Sequence, residues 1–494
     1  MAMPAIRTGQ SYLNALKDGR SIYIDGRQVS DVTTDPAFCN TVASYARLYE
    51  FQSKPESCDL MTFPDPVTGE KVNKSWMLPK KVEDLRARRA AIEAWSELSF
   101  GMLGRSPDHV ATSLGGMIAG LSGLEGTPGL FAERLLKYFE KMRAEDRFVS
   151  YVINDPQAGK TQSVSEKGDL IVSVVQEDNS GITVRGAKML GTSSIMADEL
   201  IVGSIAPLKP GEERFAATFA VPLATKGVRL MSRKSYEASA SNGFDYPLAY
   251  HFDENDAVVW FEDVHVPWER VFTYGDVTAA HAIWHRTPAH SYHNYQSQIR
   301  FSVKLRFLAG LTRHITEING SNKIPAVQGK LARLARQANI IRGLVIAAET
   351  EFYEAGGYVM PDPGLVYTSL SLAQQIYPEF ITEVRDLCGG GVIMLPSSVE
   401  DFSDPDMRRM IAATQLSAIG TAEERVRAFR LAWDAIGSEF ASRHTQYEMF
   451  YGGANRIVDA NVFRKYDWAA ATRLVDKALA MMPLPGGLAT GAAE

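Results

Sequence analysis

The chain has 494 residues, 45% of them hydrophobic and 22% charged, which excludes a disordered or fibrous chain and leaves about three domains or one large multi-layer subunit. With 52 Lys and Arg against 58 Asp and Glu, the net charge of −6 supplies no field to gather nucleic acid or anionic lipid. Three widely spaced cysteines, Cys39, Cys58 and Cys388, form neither a disulfide framework nor a CxxC unit, and their usage points to a reducing cytoplasm.

The first twenty residues carry charges too early for a signal peptide, so export is not expected. Residues 1–150 read as mostly helical. In KKVEDLRARRAAIEAWSELSF, Val82, Leu85, Ile92, Trp95 and Leu98 fall at steps of three, four or seven, which predicts a helix with one buried face. The segment GRSPDH sets Arg105 four residues before His109. If Pro107 opens a helix, the two side chains share a face and can hold a phenolate or carboxylate; the plainer alternative pairs a surface Arg105 with Asp108. The longest uncharged run, Val110 to Leu124, is shorter than the roughly 20 residues a bilayer span needs, so no membrane partner is expected.

Residues 151–277 change to short β-branched runs such as DLIVSVV, ELIVGSIA and AVVWFEDVHV, punctuated by Gly, Pro and Asp, which predict a middle β domain. Gly159-Lys160-Thr161 approaches a phosphate-binding loop, but Asn154 stands where its first glycine belongs; GxGxxG, HExxH and GxSxG are absent. Over residues 278–494 the helical period returns in long stretches, among them QSQIRFSVKLRFLAGLTRHITEI, VQGKLARLARQANIIRGLVIAAETEFYEA and AEERVRAFRLAWDAIG, which suggests a helical bundle. Four histidines gather near its start, His281 and His285 four apart, His290 and His293 three apart, with Pro288 placed to break the helix between the pairs. They can line an entrance, act as a pocket acid or base, or ligate a metal. Gly389, Gly390 and Gly391 end a helix either as a cap and tight turn or as a close approach for a cofactor. The last dozen residues read as a frayed tail.

The block RKSYEASASNGFDYPLAYHFDENDAVVWFEDVHVPWERV closely resembles the large oxygenase component family of 4-hydroxyphenylacetate 3-monooxygenase. The resemblance extends over nearly the whole chain through YLNALKDGRSIYIDGRQVSDVTTDPAF, LSFGMLGRSPD, INDPQ, GAKMLGTSS, LPSS and WDAIGSEFASRH, while NKIPAVQ looks more like the chlorophenol monooxygenase branch. It implies an α+β, mostly α chain with the acyl-CoA dehydrogenase fold: an N-terminal helical domain, a middle β barrel, a C-terminal four-helix bundle and homotetrameric assembly. It also implies a monooxygenase that receives FAD as FADH2 by diffusion from a separate reductase. Such an enzyme oxygenates a small phenolic or electron-rich ring with O2 through a flavin C4a-hydroperoxide, with or without loss of halide or nitro, and needs no metal. A phenol has a pKa near 10, so a cation or base must favour its phenolate at neutral pH.

By the same resemblance Arg105 lies beside substrate and flavin. His109 stands where the phenylacetate hydroxylases have a tyrosine, and Tyr151 where they have a pocket histidine. His293 matches the base of the chlorophenol branch, with His290 as its neighbouring alternative. Gln157, Thr192 and Ser194 match isoalloxazine contacts, Gly390 the stretch that receives the adenosine end from a neighbouring subunit, and Arg443 an arginine near the active site. Two other functions are compared with this one. A 4-hydroxybutyryl-CoA dehydratase-like lyase needs several cysteine ligands for an iron–sulfur cluster, and their counterparts are missing. A non-catalytic flavin-binding protein has no use for Arg105 beside polar pocket residues.

Overall fold

The computed structural model describes residues 6–157 and 164–482; Gly159 to Thr161 and the last dozen residues, read above as a frayed tail, lie outside them. The fold is mostly helical, with two large β-sheets between an N-terminal and a C-terminal set of helices.

In the helix Val82–Leu98, Leu85, Ile92 and Trp95 are buried as their spacing requires, but Leu98 is exposed. The helix ends there, and Phe100 turns the chain with a left-handed φ of 54°, so the last turn projects past the core. Arg88 is buried on the same helix. Its guanidinium donates to the carbonyls of Lys74, Ser75 and Met77, tying the helix to a short 3-10 turn in which the Lys74 carbonyl also accepts the Met77 N–H.

Pro107 occupies the first turn of the helix Pro107–Gly120, where its missing N–H costs nothing, and every residue of this helix is buried. The long uncharged run is therefore a central core helix, and among the described residues no helix is long and apolar enough to cross a membrane. Its glycines set the crossing with the helix Ala289–Ile318. A Cβ on Gly116 would lie 2.7 Å from the backbone of Ala289. Gly116→Ala is expected to force the helices apart and cost about 1–3 kcal/mol. Urea unfolding measures this, and an unchanged midpoint would show that the crossing tolerates a methyl group.

Two short strands, Ser21–Ile24 and Arg27–Val29, form a hairpin that joins the middle of the chain. Ser21 pairs with Arg229 in a parallel ladder, so the N-terminal segment supplies the edge of a six-stranded sheet. That sheet continues through Val228–Ser232, Ala257–Pro267, Gly181–Lys188 and Ser173–Glu177. A four-stranded sheet runs Val271–Tyr274, Ala217–Pro222, Glu199–Val202 and Val149–Val152. The sheets share one core, in which the Phe219 and Phe261 rings meet edge to face at 6.1 Å.

The helices Ala289–Ile318, Pro325–Thr350, Pro363–Cys388 and Ala422–Ile436 pack on one another through apolar faces. The second ends before FYEA, which the periodicity had carried on as helix. Tyr353–Ala355 instead pairs with Tyr358–Met360, and Gly356 and Gly357 take the positive φ values that the turn requires. Pro288 caps the first of these helices, leaving His281 and His285 on the preceding helix Val277–His285.

Candidate active site

Because Pro107 starts a helix, Arg105 and His109 face each other across one turn: Arg105 Nη1 lies 2.5 Å from His109 Nε2. Asp108, the plainer partner for Arg105, is instead bonded to Ser106 and Gln296. The guanidinium also lies over three tyrosine rings, Tyr451 at 4.5 Å, Tyr151 at 5.0 Å and Tyr447 at 5.8 Å. Tyr151 comes from the strand Val149–Val152 and His293 from the first bundle helix; the His109 ring is 5.4 Å from the first and 5.1 Å from the second. Four separate parts of the chain thus converge on one cluster of rings around a cation.

The charges within it follow from burial. Burial alone would discharge Arg105, but Tyr151, Tyr447, Tyr451 and Glu254 outweigh it and hold the guanidinium protonated. Burial, then Arg105 and His293, push the His109 imidazole well below its ordinary range. His293 is lowered likewise by burial, then by His290 and Arg105, and burial brings His290 down to about 4. Both cluster histidines are therefore neutral at pH 7. A guanidinium only donates, so His109 Nε2 accepts and the ring proton sits on Nδ1, a buried atom with no partner among the described residues. Tyr151 and Tyr451 are raised by burial against the pull of Arg105, the latter to about 12, so they remain neutral hydrogen-bonding groups.

Arg105 is fixed from behind by Glu254, a residue that carried no sequence signal. One carboxylate oxygen accepts the Arg105 backbone N–H at 2.9 Å, and the other accepts from Arg443 at 2.6 Å. Arg443 also grips Asp256 with two nitrogens, and Asp256 accepts from Thr192 Oγ1 at 2.6 Å. The turn that carries Thr192 and Ser194 is strained: Leu190 and Ser193, neither a glycine, have φ of 59° and 60°. Ser194 bonds the Gly191 carbonyl, and Ser150, beside Tyr151, donates to the Thr192 carbonyl. The neighbouring Gly104 admits the Tyr447 ring, which a Cβ would overlap. Gly104→Ala is expected to displace that ring from Arg105 and lower turnover roughly 10- to 100-fold in a folded protein, read by steady-state kinetics beside circular dichroism.

Of the residues singled out from sequence, Arg105, His109, Tyr151 and His293 come together, and His290 adjoins His293 at 5.1 Å. Arg443 is spent on Asp256 and Glu254; it lies over one side chain of the cluster, the Tyr447 ring, at 4.6 Å. Gln157 is exposed beyond the Tyr151 strand. Gly390 sits in an exposed turn after the helix Pro363–Cys388, whose C-cap is Gly389 with a φ of 62°. Tyr447 and Tyr451 were missed, although their spacing of four at the end of the helix Glu439–Phe450 marks one shared face.

Residues 8–273 match the family model described as 4-hydroxyphenylacetate 3-hydroxylase N terminal, and residues 280–480 the model of its C terminal. The pyoverdin chromophore biosynthetic protein PvcC of Pseudomonas aeruginosa is 34% identical over 458 residues, 91% of this chain and 89% of that protein. The 4-hydroxyphenylacetate 3-monooxygenase oxygenase component of Escherichia coli is 32% identical over 483 residues, 96% and 91% of the two chains. The crystal structure of such an oxygenase component (HpaB) complexed with FAD and 4-hydroxyphenylacetate has a TM-score of 0.90 at 30% identity, covering 96% of this chain and 98% of that one. A 4-hydroxybutyryl-CoA dehydratase from N. maritimus, at 20% identity and a TM-score of 0.88, shares the fold alone. Since the two family matches together span nearly all of the described residues, the chain belongs to the 4-hydroxyphenylacetate 3-hydroxylase family.

Proposed function

We propose that this chain is the oxygenase component of a two-component flavin monooxygenase that uses FADH2 and O2 to hydroxylate a phenol or related electron-rich aromatic ring. The observation that carries this reading is a guanidinium held charged beside two neutral imidazoles and a neutral tyrosine. Arg105 balances the negative charge of a phenolate oxygen, His293 takes the phenol proton, and the Tyr151 hydroxyl holds the ring in place. A ring made electron-rich in this way is the partner that an electrophilic oxygen requires.

The residues present fit a flavin. His109 Nδ1 is a buried donor still lacking an acceptor, and the strained Thr192 turn is braced on one side by Ser150 and on the other by Asp256. In this reading Gln157, Thr192 and Ser194 hold the isoalloxazine, and Arg443 orders the turn through Asp256. When bound, the reduced flavin supplies the electrons that activate O2. The packed rings around Arg105 exclude water from the reacting centre.

The reduced flavin arrives by diffusion from a separate reductase, and the chain assembles as a homotetramer in which Gly390 receives the adenosine end of a neighbour's flavin. Ile393 and Met394, 73% and 74% exposed beside Gly390, support a subunit contact there. Three free cysteines suit the reducing cytoplasm. The dehydratase reading has less support: Cys388 is buried away from the half-buried Cys39 and Cys58, and among the described residues no three His, Cys, Asp or Glu side chains gather as metal ligands.

The test is to mix the anaerobic protein with FADH2, add O2, and assay a panel of phenols, including halogenated and nitrated ones. A hydroxylated product from at least one ring, with halide or nitrite released where a leaving group departs, is expected. Bound FADH2 with no oxygenated product from any ring overturns the reading in favour of a flavin-binding protein.

A further inference from the structure

In the reaction proposed above, His293 takes the phenol proton deep inside the protein, at a residue only 4% exposed. Burial, then His290 and Arg105, push its imidazole well below the ordinary range, so it cannot keep that proton at pH 7. Two carboxylates of the surroundings are engaged elsewhere: Asp108 accepts from Ser106 and Gln296, and Glu254 from Arg443. The proton needs a way out.

A row of imidazoles leads from His293 to the surface. Its ring centroids are 5.1 Å from those of His290, which lie 6.2 Å from His285, and His285 stacks on His281 at 4.2 Å. Exposure rises along the row: His293 is buried, His290 half-buried and His285 exposed. The break at Pro288 is what brings His285, at the end of one helix, alongside His290 at the start of the next. The Tyr367 hydroxyl, 2.8 Å from His290 Nδ1, fixes that ring. The Ile205 carbonyl accepts from His285 Nε2 at 3.2 Å, which leaves His285 Nδ1 free to accept a proton.

A neutral imidazole has one donor and one acceptor nitrogen, so it can take a proton on one side and release one from the other. Rings at these separations lie within a direct hydrogen bond or one bridging water of each other, the reach that proton transfer requires. The row is neutral at pH 7. Burial lowers His281 and His285, the latter also through the charges of His281 and Arg464, and burial brings His290 down to about 4. The depression is strongest at the buried end, so a proton moves outward onto rings that hold it more readily.

We propose that His290, His285 and His281 form a relay that carries the phenol proton from His293 to solvent. The relay rests on the phenol-hydroxylase reading and completes its base step. The phenol O–H bond breaks as an N–H bond forms on His293; each ring in turn gains one N–H and gives one up, and a single proton leaves to water at the exposed end.

Temperature-jump relaxation of 4-nitrophenol bound to the anaerobic full chain with FADH2 tests this, because the yellow nitrophenolate reports the departure of the proton without turnover. In the unaltered protein the bound phenol is expected to ionise at a pH where the free phenol is neutral. His290→Gln is expected to slow the relaxation roughly tenfold or more and leave the final fraction of phenolate unchanged, since glutamine hydrogen-bonds but cannot pass a proton on. Imidazole added to the buffer is expected to restore the rate. His285→Gln, a change at an exposed residue, is expected to slow it by a smaller factor, because water takes over at that point. Unchanged relaxation in both variants overturns the proposal. So does a slow His290→Gln variant that imidazole fails to rescue, or one whose phenolate fraction falls, since either marks a ring that only shapes the site. A phenol that stays neutral in the unaltered protein removes His293 as base and the relay with it. Failure of the hydroxylase reading shows separately, as an absence of oxygenated product from every phenol.

Discussion

Arg105→Ala is expected to lower turnover about 100- to 1,000-fold in a protein that still folds and still binds reduced flavin. The guanidinium is the one group of the cluster held positively charged, and its loss leaves neutral imidazoles and hydroxyls around a ring whose oxygen must become negative. It also removes a donor from His109 Nε2, which keeps only Tyr451 as a partner at 2.7 Å. Arg105→Lys restores charge without the planar fork, so an intermediate rate is expected. Single-turnover product formation, measured beside anaerobic FADH2 titration, separates the effects. Undiminished product from Arg105→Ala removes the residue from the mechanism.

Glu448→Ala costs about 3–5 kcal/mol of stability, the largest single loss expected outside the apolar core. Glu448 is the common partner of two buried cations: it accepts from Arg300 through both oxygens and from Lys304 at 2.9 Å. Arg300, Lys304 and Glu448 are all nearly inaccessible to solvent. Burial pushes Lys304 down to about 8 even with Glu448 present, whereas burial of Glu448 is outweighed by its two cations, which bring it down to about 2. Without the carboxylate, both cations are buried unpaired. Urea unfolding measures the loss; a value under about 1 kcal/mol would falsify the account, because an exposed pair is worth no more than that. Lys304→Met is expected to cost less, since Arg300 and Glu448 remain paired.

The part of the site legible in sequence is the part built by local geometry. Arg105 lies just ahead of the helix that Pro107 opens and His109 in its first turn, so local geometry offered their pairing beside the Arg105–Asp108 alternative, and family resemblance chose between them. The pairing of His290 with His293, and the break at Pro288, follow from the same rule of short range. Tyr151 entered through family resemblance alone, and resemblance chose His293 from the histidine cluster that spacing had marked. Nothing in their own neighbourhoods says that a strand and a bundle helix bring both rings to His109. Glu254 was invisible for the same reason: its partners, Arg105 and Arg443, stand 149 and 189 residues away. Arg443 belonged to a motif that resemblance had marked, yet its role is set by two carboxylates that no spacing on its own helix shows.

Composition, charge and hydrophobic period by themselves determined the helix–sheet–helix order, the buried face of most long helices, and the breaks at proline and glycine. Each of these follows from backbone conformation and side-chain direction over a few residues. Tertiary structure alone decided that the N-terminal hairpin would complete the central sheet, and that Leu98 would escape the core. It also decided which protonation states the site would hold. A histidine ordinarily titrates near pH 6.5, and it is the enclosure of His109 and His293 among rings and cations from distant parts of the chain that keeps them neutral. Desolvation and the placement of charge in three dimensions have no counterpart in a local pattern, so the chemistry of the cluster exists only in the folded chain.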